Sequence, residues 1–462
     1  MNWHKQSDAL ANEIKISPLR SELSVNNGFK NDLRPRISPG RDGQFLNKTS
    51  SKLYEQCVRK DKKNKCPSSC WKQENDNKGN NSDVININKD VDCGIDVIVE
   101  HCDLFKTING YDNIKVTADE ETFPIAFAIK VFNLPDQAEQ LLRTIYRKHN
   151  VYCIHIDKRA DDRTVDMFRK IGDCLENVKV LEDTLALVHA SVTEVLAEMK
   201  CMETMRNSSV PWKYYINLSE LDFPLKTNLE IVKILDAFDG LNDIESYDHP
   251  IFDKWRLENR FSVHKNSLIQ DSVKQHFKYD LQFSKGHPFG MFSRNFVDFV
   301  FQDDVAAELI TWLNETYSPA ENLWATLVTL PWAPGGYPVS VRHMISSYMS
   351  RAMIVSGDVP RCHGVFESGT CLFSCSDIWW LQNRPEFFAS KFDSRYDKQV
   401  LNCMESWLRQ KALKSDSLAI NWNFYHNLPH MKYHSRHKYS TATQAQRERI
   451  KKDWILKHLK VS

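Results

Sequence analysis

The first residue of this chain that reads as chemistry is a carboxylate two positions after a proline. It is Glu321, in Thr316-Tyr317-Ser318-Pro319-Ala320-Glu321-Asn322-Leu323-Trp324-Ala325-Thr326. Proline fixes φ and presets the first helical turn. A carboxylate in that turn lies where the helix dipole favours negative charge. Kept ionised beside an aromatic wall, it would take a proton from a hydroxyl group. The plainer role of the same residue is to complement a helix N-terminus.

Further candidates are scattered along the chain. Asp157 follows the apolar run 151–156, and ligands of open α/β sheets sit at the carboxyl ends of strands. Glu245 falls in Asp243-Ile244-Glu245-Ser246, and Lys254 opens the run Lys254-Trp255-Arg256. Asp161-Asp162 and Asp303-Asp304 are adjacent acid pairs that read as solvated helix features. Cys66-Pro-Ser-Ser-Cys70 is a tight cysteine pair without the second close pair that would make a strong zinc signal, so no metal site is expected.

Holding such residues requires strands and helices in alternation. Residues 123–131 are strand-like, 137–147 amphipathic and helical, and 151–156 a second short apolar run. This spacing predicts a βαβ unit with a parallel sheet, hence an α/β fold. A helix over 162–171, a strand over 178–181, a helix over 192–205 and a strand over 213–218 extend the pattern. The stretch 240–285 reads as polar and irregular. A second apolar section runs over 289–301, and a helix over 305–313 leads into the Glu321 turn. After about Gln410 the tail is basic and aromatic, with no pattern that fixes its structure.

Residues 1–90 are rich in Asn, Lys, Asp and Ser and poor in apolar residues, which predicts a flexible stem-like region. An ordered arm held by Cys57, Cys66 or Cys70 is the alternative. Residues 91–120 form a transition, and 121–462 the folded domain. Across all 462 residues, 42% are apolar and 26% charged, ordinary for a globular protein. A net charge of +1 implies no nucleic-acid or membrane field. Twelve cysteines are many for a cytosolic protein. The sequons at Asn47, Asn80 and Asn207 lie in polar stretches that suit N-glycosylation, while Asn217 sits in a strand-like apolar context and is expected to be buried. No apolar run approaches the ~18 residues of a membrane span, and the N-terminus has no signal-peptide core.

The Glu321 segment resembles the Ser-Pro-Asp-Glu-x-Leu-Trp-Ala-Thr motif of the core-2/I-branching β1,6-N-acetylglucosaminyltransferases. These form glycosyltransferase family 14 together with the peptide O-xylosyltransferases. Collinear segments carry the same resemblance: Phe123-Pro124-Ile125-Ala126-Phe127, Leu141-Leu142-Arg143-Thr144-Ile145-Tyr146, Tyr152-Cys153-Ile154-His155-Ile156-Asp157, Trp212-Lys213-Tyr214-Tyr215-Ile216-Asn217-Leu218, Asp222-Phe223-Pro224-Leu225 and Phe388-Ala389-Ser390-Lys391-Phe392-Asp393. It runs from about residue 120 to about residue 415. It implies a GT-A-like α/β fold over 121–462, with a mixed central sheet flanked by helices and braced by disulfides. The implied pairs are Cys102 with Cys174, Cys153 with Cys201, Cys362 with Cys371, and Cys403 with Cys57. Cys66, Cys70, Cys93 and Cys375 receive no assignment. Members of the family look like type II Golgi proteins with an N-terminal membrane anchor that this chain does not encode. A truncated or alternatively started form of a Golgi protein is the expectation that the cysteines favour.

The activity implied is inverting, metal-independent transfer of N-acetylglucosamine from UDP-GlcNAc to C6 of galactose or N-acetylgalactosamine in O-glycans. Glu321 would be the general base, although the usual Asp before it is Ala320 here. Lys391 matches a basic residue that steadies the leaving diphosphate in place of a metal, so no cofactor is implied. Its usual arginine companion is replaced by Ser368, a neutral donor where a bidentate fork is expected; Arg361 and His363 are nearby substitutes. Asp157 matches a uridine-side Asp. His189 stands where relatives place a Tyr, and Phe132 where they place a His. On the acceptor side Glu245 matches, and Lys254 lies about where a basic pair is expected. The aromatic platform of the family is absent, with Ala352, Met353, Ile354 and Val355 in its place. Two alternatives follow from these departures. One is a family-14 transferase with another donor, such as UDP-xylose, or another acceptor. The other is a non-catalytic relative that binds glycans or a partner.

Overall fold

The run from Ile125 to Val131 carries apolar side chains on both faces, the pattern of a strand covered on two sides. In the computed structural model it is β1 (Ile125–Val131), near the centre of a six-stranded sheet. The structure describes Ile95 and residues 99–460, apart from 101, 113, 339–340, 342–347, 358–360, 414–418 and 438–441. The stem-like region 1–90, with Asn47, Cys57, Cys66, Cys70 and Asn80, lies outside the described residues, as does Cys93.

Helices α1 (Cys102–Asn109) and α2 (Ala118–Glu121) precede β1. After it α3 (Pro135–Ile145) leads to β2 (Val151–Ile156), α4 (Asp162–Cys174) to β3 (Val178–Val180), and α5 (Thr193–Arg206) to β4 (Tyr214–Ser219). These strands pair in parallel, β3 with β2, β2 with β1, and β1 with β4. The expected βαβ alternation is therefore present. The chain moves outward from β1 to β3 and then returns to the other side of β1, so the strand order reverses between β1 and β4.

Next come β5 (Asp222–Pro224), α6 (Asn228–Phe238), β6 (Asp243–Ile244), β7 (Tyr247–Asp248), the one-turn α7 (Trp255–Glu258), β8 (Asn259–His264), β9 (Ser267–Val273), β10 (Ser284–Lys285) and β11 (Gly290–Ser293). β11 pairs antiparallel with both β4 and β6, which makes the sheet mixed. The sequence reading of 240–285 as irregular is corrected here: the stretch holds three short strands, β6, β7 and β10, and the β8–β9 hairpin. That hairpin is mostly exposed, so it shows no alternation of buried and polar residues. It turns through Lys265 and Asn266, both at positive φ, the backbone of a primed two-residue turn.

Helices α8 (Arg294–Gln302), α9 (Asp304–Leu313) and α10 (Pro319–Leu327) follow. Asp161 and Asp303 cap α4 and α9, each accepting a backbone N–H three residues on. A smaller sheet is built from β12 (Arg351–Ala352), β15 (Phe388–Ser390) and β5. Between its strands lie the hairpin β13 (Val365–Glu367) with β14 (Thr370–Leu372), and α11 (Ile378–Gln382). Phe223, Phe373, Phe392 and Leu401 pack beneath that sheet as a second apolar cluster. The kinked α12 (Ser394–Ala412) closes this side. The tail forms α13 (Trp422–His426), α14 (Pro429–His437) and α15 (Gln444–His458). Trp454 of α15 packs against Tyr279 and Trp332, with ring centroids 5.5 and 5.1 Å away.

Three of the implied disulfides are present: Cys102–Cys174, Cys153–Cys201 and Cys362–Cys371. Cys403 is also disulfide-bonded. The Cys375 thiol is buried, and burial together with Asp397 pushes its pKa up to about 12. Among the described residues no helix is long and apolar enough to cross a membrane.

Candidate active site

Glu321 lies in the first turn of α10, with Ser318 as N-cap and Pro319 inside that turn. Ser318 adopts a left-handed backbone, φ 48°, and its N–H donates to the Ala190 carbonyl at 2.7 Å. Ala190 is itself left-handed, φ 59°. Such backbone costs on the order of 1 kcal/mol or more per residue and persists only where the surroundings over-determine it. Here the contact ties the 187–190 loop to the turn that delivers Glu321.

Two cations face the Glu321 carboxylate. Arg256 donates to its Oε2 at 2.9 Å, and the Lys285 ammonium is 3.3 Å from the same oxygen. Both cations also bind Asp253. Burial works against ionisation of Asp253, but the Lys285 hydrogen bond and the charges of Arg256 and Lys285 hold its pKa below the usual carboxylate value. The Arg256 guanidinium lies over Tyr317 at 4.9 Å and Trp255 at 5.7 Å. The aromatic wall near Glu321 is therefore Tyr317 and Trp255, while Trp324 is buried in the core. Lys254, the residue just before α7, is exposed. It joins Leu257, Glu258, His249, Phe277 and Trp312 around a cavity of about 400 Å³.

Glu245 is brought next to Glu321 by one glycine. The Gly286 N–H donates to the Glu321 carbonyl at 2.9 Å, and a Cβ on Gly286 would lie 1.9 Å from the Glu245 carbonyl oxygen. Only glycine fits that approach. The Glu245 carboxylate accepts the His287 N–H at 2.9 Å. The His287 ring stacks with Tyr348 and Phe289.

The second part of the site is the crevice where the strand order reverses, between the carboxyl ends of β1 and β4. Ligands of open α/β sheets bind at such switch points. Glu220, just past β4, accepts the backbone N–H groups of Phe132, Asn133 and Leu134, just past β1, at 2.8 to 3.2 Å. Burial raises the Glu220 pKa; the three amides and the charge of Arg395 oppose it. The Phe132 ring carries the Arg159 guanidinium at 5.4 Å. Arg159 also clamps Asp157 through two hydrogen bonds of 3.0 and 2.8 Å. Asp157 accepts the Leu187 N–H at 2.9 Å, so the loop bearing His189 is anchored to the end of β2. His189 is mostly exposed, 3.7 Å from Glu194. Its pKa is raised by the Glu194 hydrogen bond and charge and by the charge of Glu321. Asp157, Phe132, His189 and Glu321 thus lie along one run of contacts.

Lys391 follows β15. Its ammonium binds Glu367 at 2.6 Å, at the end of β13. Ser368 and Gly369 form the turn of the β13–β14 hairpin, both at positive φ, with Ser368 exposed. Of the nearby substitutes, His363 binds Asp377 at 3.0 Å and Arg361 is exposed. Arg395, close to Glu220 and Glu367, links this side to the crevice. Asn207 is exposed at the end of α5, and Asn217 is buried in β4.

Sequence reasoning missed Arg256, Lys285, Asp253, Glu220, Arg159 and Gly286. The three-residue spacing of Asp253 and Arg256, and the Gly286-His287-Pro288 turn signal, were the clues available. No local pattern marks Glu220, whose partners lie almost ninety positions upstream.

A mixed sheet with a strand-order reversal, flanked by helices and braced by disulfides, is a GT-A-like α/β fold. Residues 125–359 match the model of the Core-2/I-Branching enzyme family, and the chain belongs to that family. It is similar to the beta-1,3-galactosyl-O-glycosyl-glycoprotein beta-1,6-N-acetylglucosaminyltransferase 3 of Mus musculus, 33% identical over 328 residues, 69% of this chain and 75% of that one. The Bos taurus protein of the same name is 33% identical over 332 residues, 70% of this chain and 76% of the relative. A beta-1,6-N-acetylglucosaminyltransferase of bovine herpesvirus 4 (strain DN-599) shows the same identity, again over 332 residues, 70% of this chain and 76% of its own.

Proposed function

We propose that this enzyme transfers N-acetylglucosamine from UDP-GlcNAc to the C6 hydroxyl of galactose or N-acetylgalactosamine in O-glycans, with inversion and without a metal. In this reading the hydroxyl loses its proton to Glu321. Its oxygen forms the new bond to the anomeric carbon from the face opposite UDP. The bond to the diphosphate oxygen breaks, and UDP leaves with the electron pair. Lys391 steadies that charge. Asp157, Phe132 and His189 line the donor side, and Glu245 the acceptor side. The names of the relatives support both the sugar and the class of acceptor. The three disulfides favour an oxidising compartment, and with it the Golgi lumen.

The observation that carries the reading is the setting of Glu321. It is fixed in a helix's first turn, flanked by Arg256 and Lys285, and joined through Gly286 to Glu245. The test is a transfer assay with secreted protein, comparing UDP-GlcNAc with UDP-xylose, in EDTA, for the wild type and Glu321→Gln. GlcNAc transfer that survives EDTA and disappears in Glu321→Gln supports the proposal. Loss in EDTA removes the metal-free mechanism. Undiminished activity in Glu321→Gln removes the base.

Engagement of Lys391 by Glu367, with Ser368 at an exposed turn, favours a second reading as a non-catalytic glycan binder. Glycan binding with no transfer or donor hydrolysis would select it.

A further inference from the structure

The reading above sets the leaving diphosphate beside Lys391, yet that ammonium already has an anion. Lys391 Nζ lies 2.6 Å from Glu367 Oε2, and the two side chains are only 13% and 28% exposed. The pair is held in place from both sides. On the Glu367 side, the hairpin is closed by Cys362–Cys371 and bridged from Thr370 to Val355. Ser356 N–H donates to the Gly369 carbonyl at 2.8 Å, and Cys371 N–H to the Ile354 carbonyl at 2.9 Å. On the Lys391 side, Phe373 N–H donates to the Lys391 carbonyl at 3.0 Å, and Phe392 N–H to the Leu221 carbonyl at 2.9 Å. With both backbones pinned, the pair can separate only by rotation of side chains. Arg395, whose charge interacts with those of Glu220 and Glu367, is itself paired with Asp393.

We propose that Glu367 is a specificity-determining residue of the donor site. It is a built-in carboxylate that fills the phosphate seat on Lys391 and that a nucleoside diphosphate must displace. The inference rests on the donor reading given above. A diphosphate and a carboxylate cannot both crowd one ammonium without like-charge repulsion. Donor binding therefore breaks the Lys391–Glu367 pair and turns Glu367 away. Part of the attraction between Lys391 and the diphosphate is spent on that exchange. The donor is held more weakly than Lys391 alone would hold it, and the UDP product leaves more readily. A ligand without a strongly anionic group cannot drive the exchange.

The test is UDP binding by titration calorimetry, up to millimolar UDP, for the wild type, Glu367→Gln, Lys391→Met and the double variant. Glu367→Gln keeps the shape and hydrogen-bonding reach of the side chain and removes its charge. It is expected to bind UDP about tenfold more tightly, the scale of one charge-assisted contact. In the Lys391→Met background the same change should alter affinity by less than about twofold, because the competition is gone. Equal affinity of the wild type and Glu367→Gln would overturn the inference while leaving the donor reading intact. Equal tightening in both backgrounds would also overturn it, since Glu367 would then act as a distant repulsive charge independent of Lys391. If neither the wild type nor Glu367→Gln binds UDP, the donor reading itself fails and takes the inference with it. Thermal unfolding of all four proteins separates these outcomes from a loss of fold.

Discussion

Arg256 holds Glu321 by a 2.9 Å hydrogen bond, and the same guanidinium lies 3.1 Å from Asp253. One rigid fork thus joins the candidate base to a second carboxylate in the 3-10 turn Ile251–Asp253, just before α7. Arg256→Ala should lower kcat/KM by about 10- to 100-fold, the worth of a charge-assisted contact at about 1.5–3 kcal/mol. Arg256→Lys should recover only part, because an ammonium lacks the planar guanidinium that meets Glu321 and Asp253 through two different nitrogens. Steady-state kinetics on both variants check this. Activity within about twofold of wild type in Arg256→Ala would dismiss the role given to the guanidinium.

Gly286 is the hinge between the base and the acceptor side. Its N–H binds the Glu321 carbonyl, and its Cα faces the Glu245 backbone with no room for a methyl group. Gly286→Ala must push those backbones apart. Displacement of a reacting group by about 1 Å can cost about 10²-fold in rate. We expect kcat to fall at least that far in the fraction of protein that folds, because Gly286 is buried and the clash is with backbone. Circular dichroism and kinetics on one preparation decide it. A fully active Gly286→Ala would show that the two segments need not stay so close.

Much of the architecture was legible in the chain. β1 and β2 are apolar runs buried on both faces, and that pattern does not depend on partners far away. The Ser318-Pro319 turn likewise announced α10 and placed Glu321 in its first turn. The hairpin of β8 and β9 was not legible, because an exposed ribbon has no buried face to imprint a period of two. In the site, acids with strand-end or helix-start signals could be read: Asp157, Glu321. The cations that face Glu321 could not. Arg256 and Lys285 are surface-type residues until the fold brings α7 and β10 against α10, and only that packing distinguishes them from Lys254, which lines the cavity with His249, Phe277 and Trp312. The Lys391–Glu367 pair was hidden for the same reason, since it depends on a hairpin docking beside β15.

His155 gives the fold a pH dependence with a definite sign. It is fully buried in β2, and its Nε2 accepts the Leu185 N–H at 3.2 Å. Burial, helped by the charge of Lys130, pushes its pKa down to about 4, whereas an unfolded histidine titrates near ~6.5. The unfolded chain therefore binds the proton first. The stabilising contribution is complete above about pH 6.5 and is lost as pH falls from there through about 4, by roughly 3 kcal/mol in all. Protonation also removes the acceptor for Leu185, in the loop that anchors to Asp157. His155→Leu should lose about 2–3 kcal/mol less than wild type between pH 7 and pH 4 in urea titrations. His430, also lowered to about 4 by burial, remains to give the variant a smaller acid loss. Parallel curves for the two proteins would show that His155 is not the group responsible.

The disulfides should differ in what they contribute, because they close loops of different length. Cys153–Cys201 joins β2 to α5 across 48 positions, whereas Cys362–Cys371 spans only 9. In the chain-entropy account a bridge stabilises by restricting the unfolded chain, and the effect grows slowly with loop size. The longer loop should be worth about 4 kcal/mol and the shorter about 3 kcal/mol. Their consequences for function should run the other way. Cys153 and Cys201 are buried in the core behind the sheet, so replacing both with alanine should lower the unfolding temperature and leave the KM for donor near wild type. Cys362 and Cys371 frame the hairpin that carries Glu367 to Lys391, so replacing both should cost less stability but change donor KM. Differential scanning fluorimetry paired with donor kinetics separates the two. If the short bridge moved stability alone, the hairpin would be only a brace, and the ordering of Glu367 against Lys391 would have to come from the sheet beneath it.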